Sequence, residues 1–236
     1  MKVLELFSGT HSVGVVAKEL GHNITSLDRD LGAKSNIYNY TSDNHIKSCI
    51  MDWDYKIYPV GHFDLITASP VCLWWSQLRL SNLTCTLRSG RWKGKVFTRE
   101  MFQKDIEDFG IPMVDKIFEI LDYFKPKYWW IENPKTGQMK DYISPLIPFV
   151  DMDYCKFGFY YRKSTRFWTN MPVVSNICKY ECDSTIICPT SGRKRHISTV
   201  DGGTAGHKKF YTNKPKNKYE RYRIPLDLIR YFILSI

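Results

Sequence analysis

The sequence predicts an α/β fold with a mostly parallel sheet and helices on both of its faces. Short apolar runs alternate along the chain with segments whose apolar residues recur at helical spacing, and this alternation is typical of parallel sheets. Glycine follows the first run, and polar or reactive residues follow several others. Because ligands of such folds bind beyond the carboxyl ends of the strands, we expect the functional site at that edge.

Four strands and one helix are predicted in the first part of the chain. Residues 2–7 alternate, with enough β-branched and aromatic character for a strand. Ser8-Gly9-Thr10 breaks this strand before a helix that Ser12 caps and Gly21 ends. The following strands are expected at residues 23–27, 46–51 and 63–68.

A long helical pattern opens the second part. Apolar residues recur at helical spacing over residues 100–124, where Pro112 predicts a kink or a restart. A fifth strand is expected at residues 127–131 and a docked helix at residues 225–236. Residues 73–98 are predicted to form a polar, basic loop, and a structureless stretch of that length inside a domain is usually functional or mobile.

Composition indicates a folded chain with reduced cysteines and a polyanionic partner. The 236 residues are 43% hydrophobic and 25% charged, which suits one sizeable core. Seven irregularly spaced cysteines favour free thiols. Without a membrane-length apolar run or a signal-peptide layout, we expect a cytoplasmic chain that binds no membrane. The net charge is +10, while Tyr154–Ile236 alone carries 16 basic and 5 acidic residues, as suits nucleic acid.

Glycine and two carboxylates at successive strand ends indicate an adenosine-containing cofactor. Gly9 allows a ligand to approach the backbone, and the helix that follows offers free amide donors. Asp28 ends the second strand, where a carboxylate can accept from both ribose hydroxyls. Asp52 can accept from an adenine amino group, and Trp53 beside it can lie against the ring. Each carboxylate alone is better explained as a solvated turn residue or a cap; their joint placement favours the cofactor.

Three further segments carry a family resemblance. They are residues 63–72 (FDLITASPVC), residues 128–134 (YWWIENP) and residues 157–168 (FGFYYRKSTRFW). In this order they resemble the cytosine-5 DNA methyltransferases, especially the short phage and viral members, over residues 1 to about 170. The resemblance implies a Rossmann-like, S-adenosylmethionine-dependent methyltransferase fold whose sheet ends in an antiparallel strand pair.

The resemblance also implies methyl transfer from S-adenosylmethionine to carbon 5 of a cytosine flipped out of double-stranded DNA. Carbon 5 is a poor nucleophile, and a thiolate at the position of Cys72 activates it by adding at carbon 6. Glu132 is then expected to hold the ring, Asn133 to position the surrounding loops and Arg166 to steady the base and the cysteine. The implied cofactor contacts are Phe7, Ser8, Gly9, Thr10, Asp28, Asp52, Trp53 and Pro70.

The basic loop after Cys72 is expected to close over the flipped base, with its cations on phosphates. The predicted DNA contacts are Arg79, Arg88, Arg91, Lys93, Lys95 and Arg162. Residues 1–170 are then expected to form a catalytic domain. Residues 171–221 are expected to form a small irregular basic region that recognises a short target. Residues 222–236 are expected to form a helix that returns to the catalytic domain. We expect a monomer.

Several positions depart from the family pattern. Val71 and Leu73 flank the cysteine where proline and glutamine are usual, and Ser164 stands at the first arginine of the family's arginine pair. Trp74-Trp75 follow where smaller residues or a phenylalanine-type residue are commoner, and the late Gly-Asn motif is not recognisable. Three alternatives therefore stay open: an RNA cytosine methyltransferase, an enzyme that methylates an exocyclic amino group, and a catalytically weakened nucleic-acid-binding relative.

A group of cysteines and histidines lies late in the chain. Cys178, Cys182 and Cys188, with His196 or His207, match no standard zinc spacing. We therefore predict small core thiols and no metal, and zinc ligation stays open as the alternative. A lysine-rich face that also meets DNA phosphates is predicted at Lys208, Lys209, Lys214, Lys216 and Lys218.

Overall fold

A seven-stranded sheet forms the centre of the structure, a computed structural model that describes residues 1–30, 37–188, 191–200 and 218–236. Its strands are β1 (Lys2–Leu6), β2 (Asn23–Asp28), β3 (Asn44–Lys47), β4 (Leu65–Ala68), β5 (Tyr128–Pro134), β6 (Phe149–Asp153) and β7 (Ser164–Thr169). The order across the sheet is β3-β2-β1-β4-β5-β7-β6. The strands from β3 to β5 are parallel, and β7 is antiparallel to both of its neighbours. The predicted mostly parallel sheet and its antiparallel ending are confirmed.

Helices cover both faces of this sheet. They are α1 (Ser12–Glu19), α2 (Arg99–Asp105), α3 (Ile111–Phe124), α4 (Met139–Tyr142), α5 (Lys218–Tyr222) and α6 (Leu226–Ile233). Successive residues of β1 enter different cores: Leu4 packs with the cluster that includes α3, and Val3 packs with the cluster that includes α1 and α6. Because strand residues alternate between faces, a buried strand of this kind is apolar almost throughout.

The predicted helix over residues 100–124 is divided into α2, a π-helix at Ile106–Gly110, and α3. Pro112 lies in the first turn of α3, as the predicted restart requires. Gly110 packs against the Trp75 ring so closely that an added Cβ would lie 2.8 Å from its Cζ2 atom. The π-helix therefore ends where the helix passes a buried tryptophan of the preceding loop.

The start of α1 differs from the prediction. Its N-cap is His11, at φ 57°, and that side chain makes no capping hydrogen bond. The Glu5 carboxylate, buried inside β1, accepts from the amide of Val13 at 3.1 Å and so satisfies one free donor of the helix. Ser12 instead accepts from the amide of Ile224 at 3.3 Å, near the C-terminal helix.

The observed bounds of β3 and β5 also differ from the predicted ones. β3 covers Asn44–Lys47 rather than residues 46–51. β5 continues to Pro134, because its antiparallel pairing with β7 extends to the Pro134–Thr165 pair. Glu132 and Asn133 thus lie within the strand, where the sequence placed them just after it.

The loop expected to be structureless has local order. It contains two 3-10 turns, Cys72–Trp74 and Gln77–Asn82, and an antiparallel bridge between Thr86 and Val96. Trp75 and Phe97 are buried in the core beneath it. The loop is therefore anchored at both ends by aromatic side chains.

The chain after β7 returns to the sheet. A two-stranded antiparallel pair forms from β8 (Thr185–Ile187) and β9 (Lys194–His196). The predicted C-terminal helix is confirmed as α6, whose Phe232 ring lies 5.2 Å from Trp130 and 5.0 Å from Phe167. Among the helices that the structure describes, none is long and apolar enough to cross a membrane.

Candidate active site

The loops after β1 and β4 leave the sheet at the point where its strand order reverses. β1 connects through α1 to β2 on one side, and β4 lies on its other side, next to β5. The two loops therefore diverge and leave a crevice beyond the carboxyl ends of the strands, the usual ligand position in such sheets. Gly9 follows β1 here, and Cys72 follows β4.

The loop after β1 combines unusual backbone angles with an unpaired polar atom. Phe7 has φ 57° and Gly9 has φ 43°. The Gly9 amide donates to Asp28 Oδ2 at 2.9 Å, so the two predicted cofactor residues are adjacent. The Ser8 hydroxyl is buried and has no hydrogen-bond partner among the described residues. A buried hydroxyl without a partner suits a site whose ligand supplies it.

The remaining predicted cofactor residues have mixed surroundings. Asp52 is exposed and lies in a turn five residues beyond the end of β3, not directly after the strand as the sequence predicted. Thr10 is buried and its hydroxyl lies 2.9 Å from that of Ser12. Trp53 is only 7% exposed, and its ring centroid lies 6.0 Å from Tyr55. The Trp53 ring is therefore packed into the protein on at least one side, and its stacking on adenine stays a prediction.

The loop that carries Cys72 is held by hydrogen bonds from the end of β5 and from the start of α4. The Asn133 side-chain amide donates to the Pro70 carbonyl at 3.1 Å. The backbone amide of Gln138 donates to the Trp75 carbonyl at 2.9 Å. These bonds lie on either side of Cys72, which opens a 3-10 turn and is half-buried. Asn133 thus contacts the loop that it was expected to position.

The two tryptophans that depart from the family pattern anchor this turn. Trp75 is fully buried and stacks at 5.9 Å on Tyr142. Trp74 stacks at 4.8 Å on Phe109 of the π-helix. Together they fix the direction of the chain directly after Cys72.

Charges of both signs act on the Cys72 thiol. Burial raises its pKa, the Lys163 ammonium lowers it, and the Glu132 carboxylate raises it. The thiol therefore lies within electrostatic reach of both side chains. Glu132 is itself 6% exposed, and its Oε1 accepts from the Tyr154 hydroxyl at 3.1 Å. Cys72 follows β4 and Glu132 lies near the end of the neighbouring strand β5, so the predicted nucleophile and the predicted carboxylate lie at the same edge of the sheet.

Lys163 and Tyr154 were not identified from the sequence. Lys163 Nζ lies 4.8 Å from the centre of the Tyr154 ring and 3.3 Å from the Arg221 carbonyl. The burial and the neighbouring Glu132 raise the pKa of Tyr154 well above its usual value, which keeps its hydroxyl a donor. Only the basic and aromatic composition of residues 157–168 pointed toward this neighbourhood.

Arg166 has a different partner from the one expected. Its Nε and Nη2 atoms donate to Asp151 at 2.8 and 3.1 Å, in a two-point ion pair between adjacent strands. Its guanidinium also lies 3.6 Å from the centre of the Phe149 ring. The positive charge of Lys163 lowers the pKa of Cys72. A role for Arg166 in steadying the base stays a prediction.

The predicted DNA-contacting cations divide into two groups. Arg79 and Arg91 pair with the buried Asp105, at 2.5 and 3.3 Å, so they serve the internal order of the loop. Arg162 pairs with Asp153 at 2.9 Å. Arg88, Lys93 and Lys95 form the second group: they are exposed and make no ion pair with a described residue, whereas Arg91 and Arg162 are exposed but paired. Of the predicted lysine-rich face, residues 208–216 lie outside the described part of the chain, as does His207.

The sequence of the chain is similar to that of a known viral protein. No protein-family model matches the chain. "Probable DNA (cytosine-5)-methyltransferase" of Frog virus 3 (isolate Goorha) is 34% identical over 235 residues, covering 97% of each chain.

Two solved structures are also similar. The methyltransferase EhMeth of Entamoeba histolytica matches with a TM-score of 0.51 at 12% identity, over 100% of this chain and 97% of that one. The Dnmt2 methyltransferase of S. pombe matches with a TM-score of 0.37 at 18% identity, over 72% of this chain and 50% of that one. The Entamoeba match, at full length, agrees with the sheet described above.

Proposed function

The chain belongs to the DNA (cytosine-5)-methyltransferase family, and from that premise we propose that it methylates carbon 5 of cytosine in double-stranded DNA, with S-adenosylmethionine as the donor. It has the Rossmann-like methyltransferase fold. The observation that carries the proposal is the placement of Cys72 after β4 and of Glu132 near the end of the neighbouring strand β5, with the Asn133 side chain hydrogen-bonded to the Pro70 carbonyl between them.

Cys72 would act as the nucleophile. Its thiolate forms a bond to carbon 6 of the ring, and the electron pair of the 5,6 double bond makes carbon 5 nucleophilic. After carbon 5 has gained the methyl group, it loses its proton to a base, and elimination breaks the sulfur–carbon bond and restores the thiolate. Glu132, buried and hydrogen-bonded to Tyr154, is suited to hold N3 and the amino group of the same ring.

The loop after β1 would hold the donor. The unpartnered Ser8 hydroxyl, the Gly9 backbone and the Asp28 carboxylate form a polar cradle that fits an adenosine-containing group. When bound, S-adenosylmethionine supplies an electrophilic methyl group. The further contacts proposed for it are Phe7, Thr10, Asp52, Trp53 and Pro70.

DNA would approach the same edge. The target base must leave the duplex, because a stacked cytosine hides the faces at which carbons 5 and 6 react. Arg88, Lys93 and Lys95 are exposed on the ordered loop after Cys72 and are proposed to contact phosphates. Arg79 and Arg91 would contribute by keeping this loop in shape through Asp105.

The proposed domain boundaries, oligomeric state and compartment are those expected from the sequence. Residues 1–170 are proposed as the catalytic domain, residues 171–221 as the target-recognition region and residues 222–236 as the segment that returns to the catalytic domain, in a chain that acts as a monomer. The seven cysteines form no disulfide in the structure, which fits a reducing compartment such as the cytoplasm.

Nucleoside analysis tests the proposed function. The full chain is incubated with S-adenosylmethionine and either duplex DNA or tRNA, and the digested nucleosides are examined by mass spectrometry. We expect 5-methylcytosine in the DNA, and none with Cys72→Ala. Methyl groups found only in RNA, methyl groups on the exocyclic nitrogen, or cofactor binding without turnover on any DNA would each contradict the proposal.

A further inference from the structure

Four side chains with metal-binding atoms converge beside the antiparallel end of the sheet. Cys155, Cys178, Cys182 and His196 each offer one donor atom, and these four atoms all lie within 4.8 Å of one another. Cys178 Sγ lies 3.5 Å from His196 Nε2. In a tetrahedral zinc site, bond lengths of about 2.3 Å to sulfur and about 2.0 Å to nitrogen place neighbouring sulfur and nitrogen donors about 3.5 Å apart. The Cys178–His196 pair has this spacing, and the other donor atoms, at up to 4.8 Å, need to move by about 1 Å or less to reach the roughly 3.8 Å between two zinc-bound sulfurs.

The surroundings of the cluster suit a metal better than a packed core. Cys155, Cys178 and His196 are at most 8% exposed. Core thiols usually pack against aliphatic side chains, whereas here three sulfurs and one ring nitrogen face one another. The chain turns between the two later cysteines at Tyr180, with φ 62°, and both cysteines contribute to the same cluster.

We propose that Cys155, Cys178, Cys182 and His196 form a structural zinc site. Three sulfurs and one imidazole nitrogen in a tetrahedral arrangement select zinc among common divalent ions. All four positions are filled by the protein, so the ion has no open position for a substrate and its role is structural. On binding, each thiol gives up its proton and the imidazole binds in its neutral form.

The positions of the four ligands along the chain explain why the sequence alone did not reveal the proposed zinc site. Cys155 belongs to the 3-10 turn that follows β6, far from the group of cysteines that the spacing suggested. Cys188, which the sequence grouped with the others, lies in the turn between β8 and β9, where its amide donates to the Arg193 carbonyl at 2.9 Å. The ligands come together only when the sheet and the later region have folded.

The proposed ion would join three segments of the chain. It connects the turn after β6, the segment of Cys178 and Cys182, and β9. Asp153 already links two of these segments, because its Oδ2 accepts from the Cys178 amide at 2.8 Å and from Arg162 Nε at 2.9 Å. Zinc would therefore fix the predicted recognition region against the edge of the catalytic sheet, close to the segment that carries Lys163.

Metal content of the reduced full-length chain tests the site independently of methyl transfer. After incubation with a zinc salt and desalting, we expect about one zinc per chain by mass spectrometry of the metal. Cys182→Ser is expected to retain about tenfold less. The matched control is Cys188→Ser, which should retain the metal in full because Cys188 lies outside the cluster.

Cobalt substitution of the unaltered chain covers the case in which the Cys182→Ser variant does not fold. We expect about one cobalt per chain, with the visible absorption of a tetrahedral ion and a strong thiolate charge-transfer band. Two results would overturn the proposal: no stoichiometric uptake of either metal by the unaltered chain, or an equal loss of metal in Cys188→Ser and Cys182→Ser.

Discussion

At the scale of single residues, the neighbours of Cys72 shift the pKa of its thiol in opposite directions. Burial and the Glu132 carboxylate raise the pKa of the thiol, and the Lys163 ammonium lowers it. Only the thiolate is nucleophilic, so at neutral pH a raised pKa leaves most chains in the unreactive form. Lys163 thus increases the fraction of Cys72 that is present as the thiolate at neutral pH.

Replacement of Lys163 should shift the pH dependence of the reaction. Without the ammonium, the pKa of Cys72 rises further, so the single-turnover methylation rate of Lys163→Ala should fall at neutral pH and recover at higher pH. Each unit of pKa shift changes the thiolate fraction about tenfold below the pKa. The measurement is the pH profile of single-turnover methylation.

Lys163→Arg is the control for this prediction, because it keeps the charge and should keep a profile close to that of the unaltered chain. A Lys163→Ala profile that coincides with the unaltered one at every pH would rule out the assigned role.

Sequence reasoning identified the residues that stand in short local patterns. The segments that contain Cys72 and Glu132-Asn133 follow the order of the family's motifs, so the resemblance could predict both as site residues, and their catalytic roles stay predictions. Tyr154 and Lys163 reach the same place through the antiparallel pair, whose pairing depends on contacts between distant segments. The ion pair between Arg166 and Asp151 was hidden for the same reason.

At the scale of elements, the loop after Cys72 depends on one buried carboxylate. Asp105, at the end of α2, is 1% exposed and accepts from Arg79 at 2.5 Å and from the Trp92 indole at 3.0 Å. Arg91 adds a third contact from the same loop. A buried charge of this kind is stable only because its partners surround it.

Asp105→Asn should therefore loosen the loop. Removing the charge leaves Arg79, whose side chain is 15% exposed, without its partner, and breaking a buried pair typically costs about 3 kcal/mol or more. We expect a loss of about that size in the free energy of unfolding by urea titration, together with faster proteolysis between residues 76 and 97.

Asp108→Asn serves as the comparison, because Asp108 pairs with Arg91 at 2.6 Å at the protein surface, where screening weakens ion pairs. It should show no measurable change. Equal stability of the two variants would mean that Asp105 does not organise the loop.

Element type was easier to predict than element boundaries. The apolar period showed a helix over residues 100–124, but the π-helix within it depends on the contact between Gly110 and Trp75. The length of β5 depends likewise on its pairing with β7. Local sequence does not contain either contact.

At the scale of the whole molecule, the C-terminal helix stabilises the strand that carries the carboxylate. α6 buries Leu228, Ile229, Phe232 and Ile233 against the same face of the sheet as α1. Phe232 contacts Trp130 of β5 and Phe167 of β7. Its last turns therefore support β5, which carries Glu132, and the neighbouring strand β7.

Phe232→Ala should destabilise the entire fold. Phe232 is 1% exposed, and removing a buried phenylalanine ring costs about 3–5 kcal/mol. Chemical denaturation should show a lower midpoint in a single transition, because the helix and sheet share one core.

Leu234→Ala is the matched change on the same helix end, and at 68% exposure it should shift stability by less than about 0.5 kcal/mol. A Phe232→Ala chain as stable as Leu234→Ala would show that α6 is not an integral part of the fold.

The fold class of the molecule was predictable because alternating strands and helices admit few arrangements. The surroundings of the cysteine and histidine group were not, since Cys155 joins Cys178, Cys182 and His196 only across the folded sheet edge. Long-range contacts of this kind account for most of what the sequence left open.

Covalent trapping on DNA that contains 5-fluorocytosine tests the central claim most directly. Fluorine at carbon 5 cannot leave as a proton does, so the methylated adduct cannot eliminate the cysteine and the chain stays attached to the DNA. We predict a denaturation-resistant adduct at Cys72 for the unaltered chain and for Cys85→Ser, an exposed cysteine of the same loop, and none for Cys72→Ser. Attachment through another cysteine, or carbon-5 methylation by Cys72→Ser at the unaltered rate, would contradict the account.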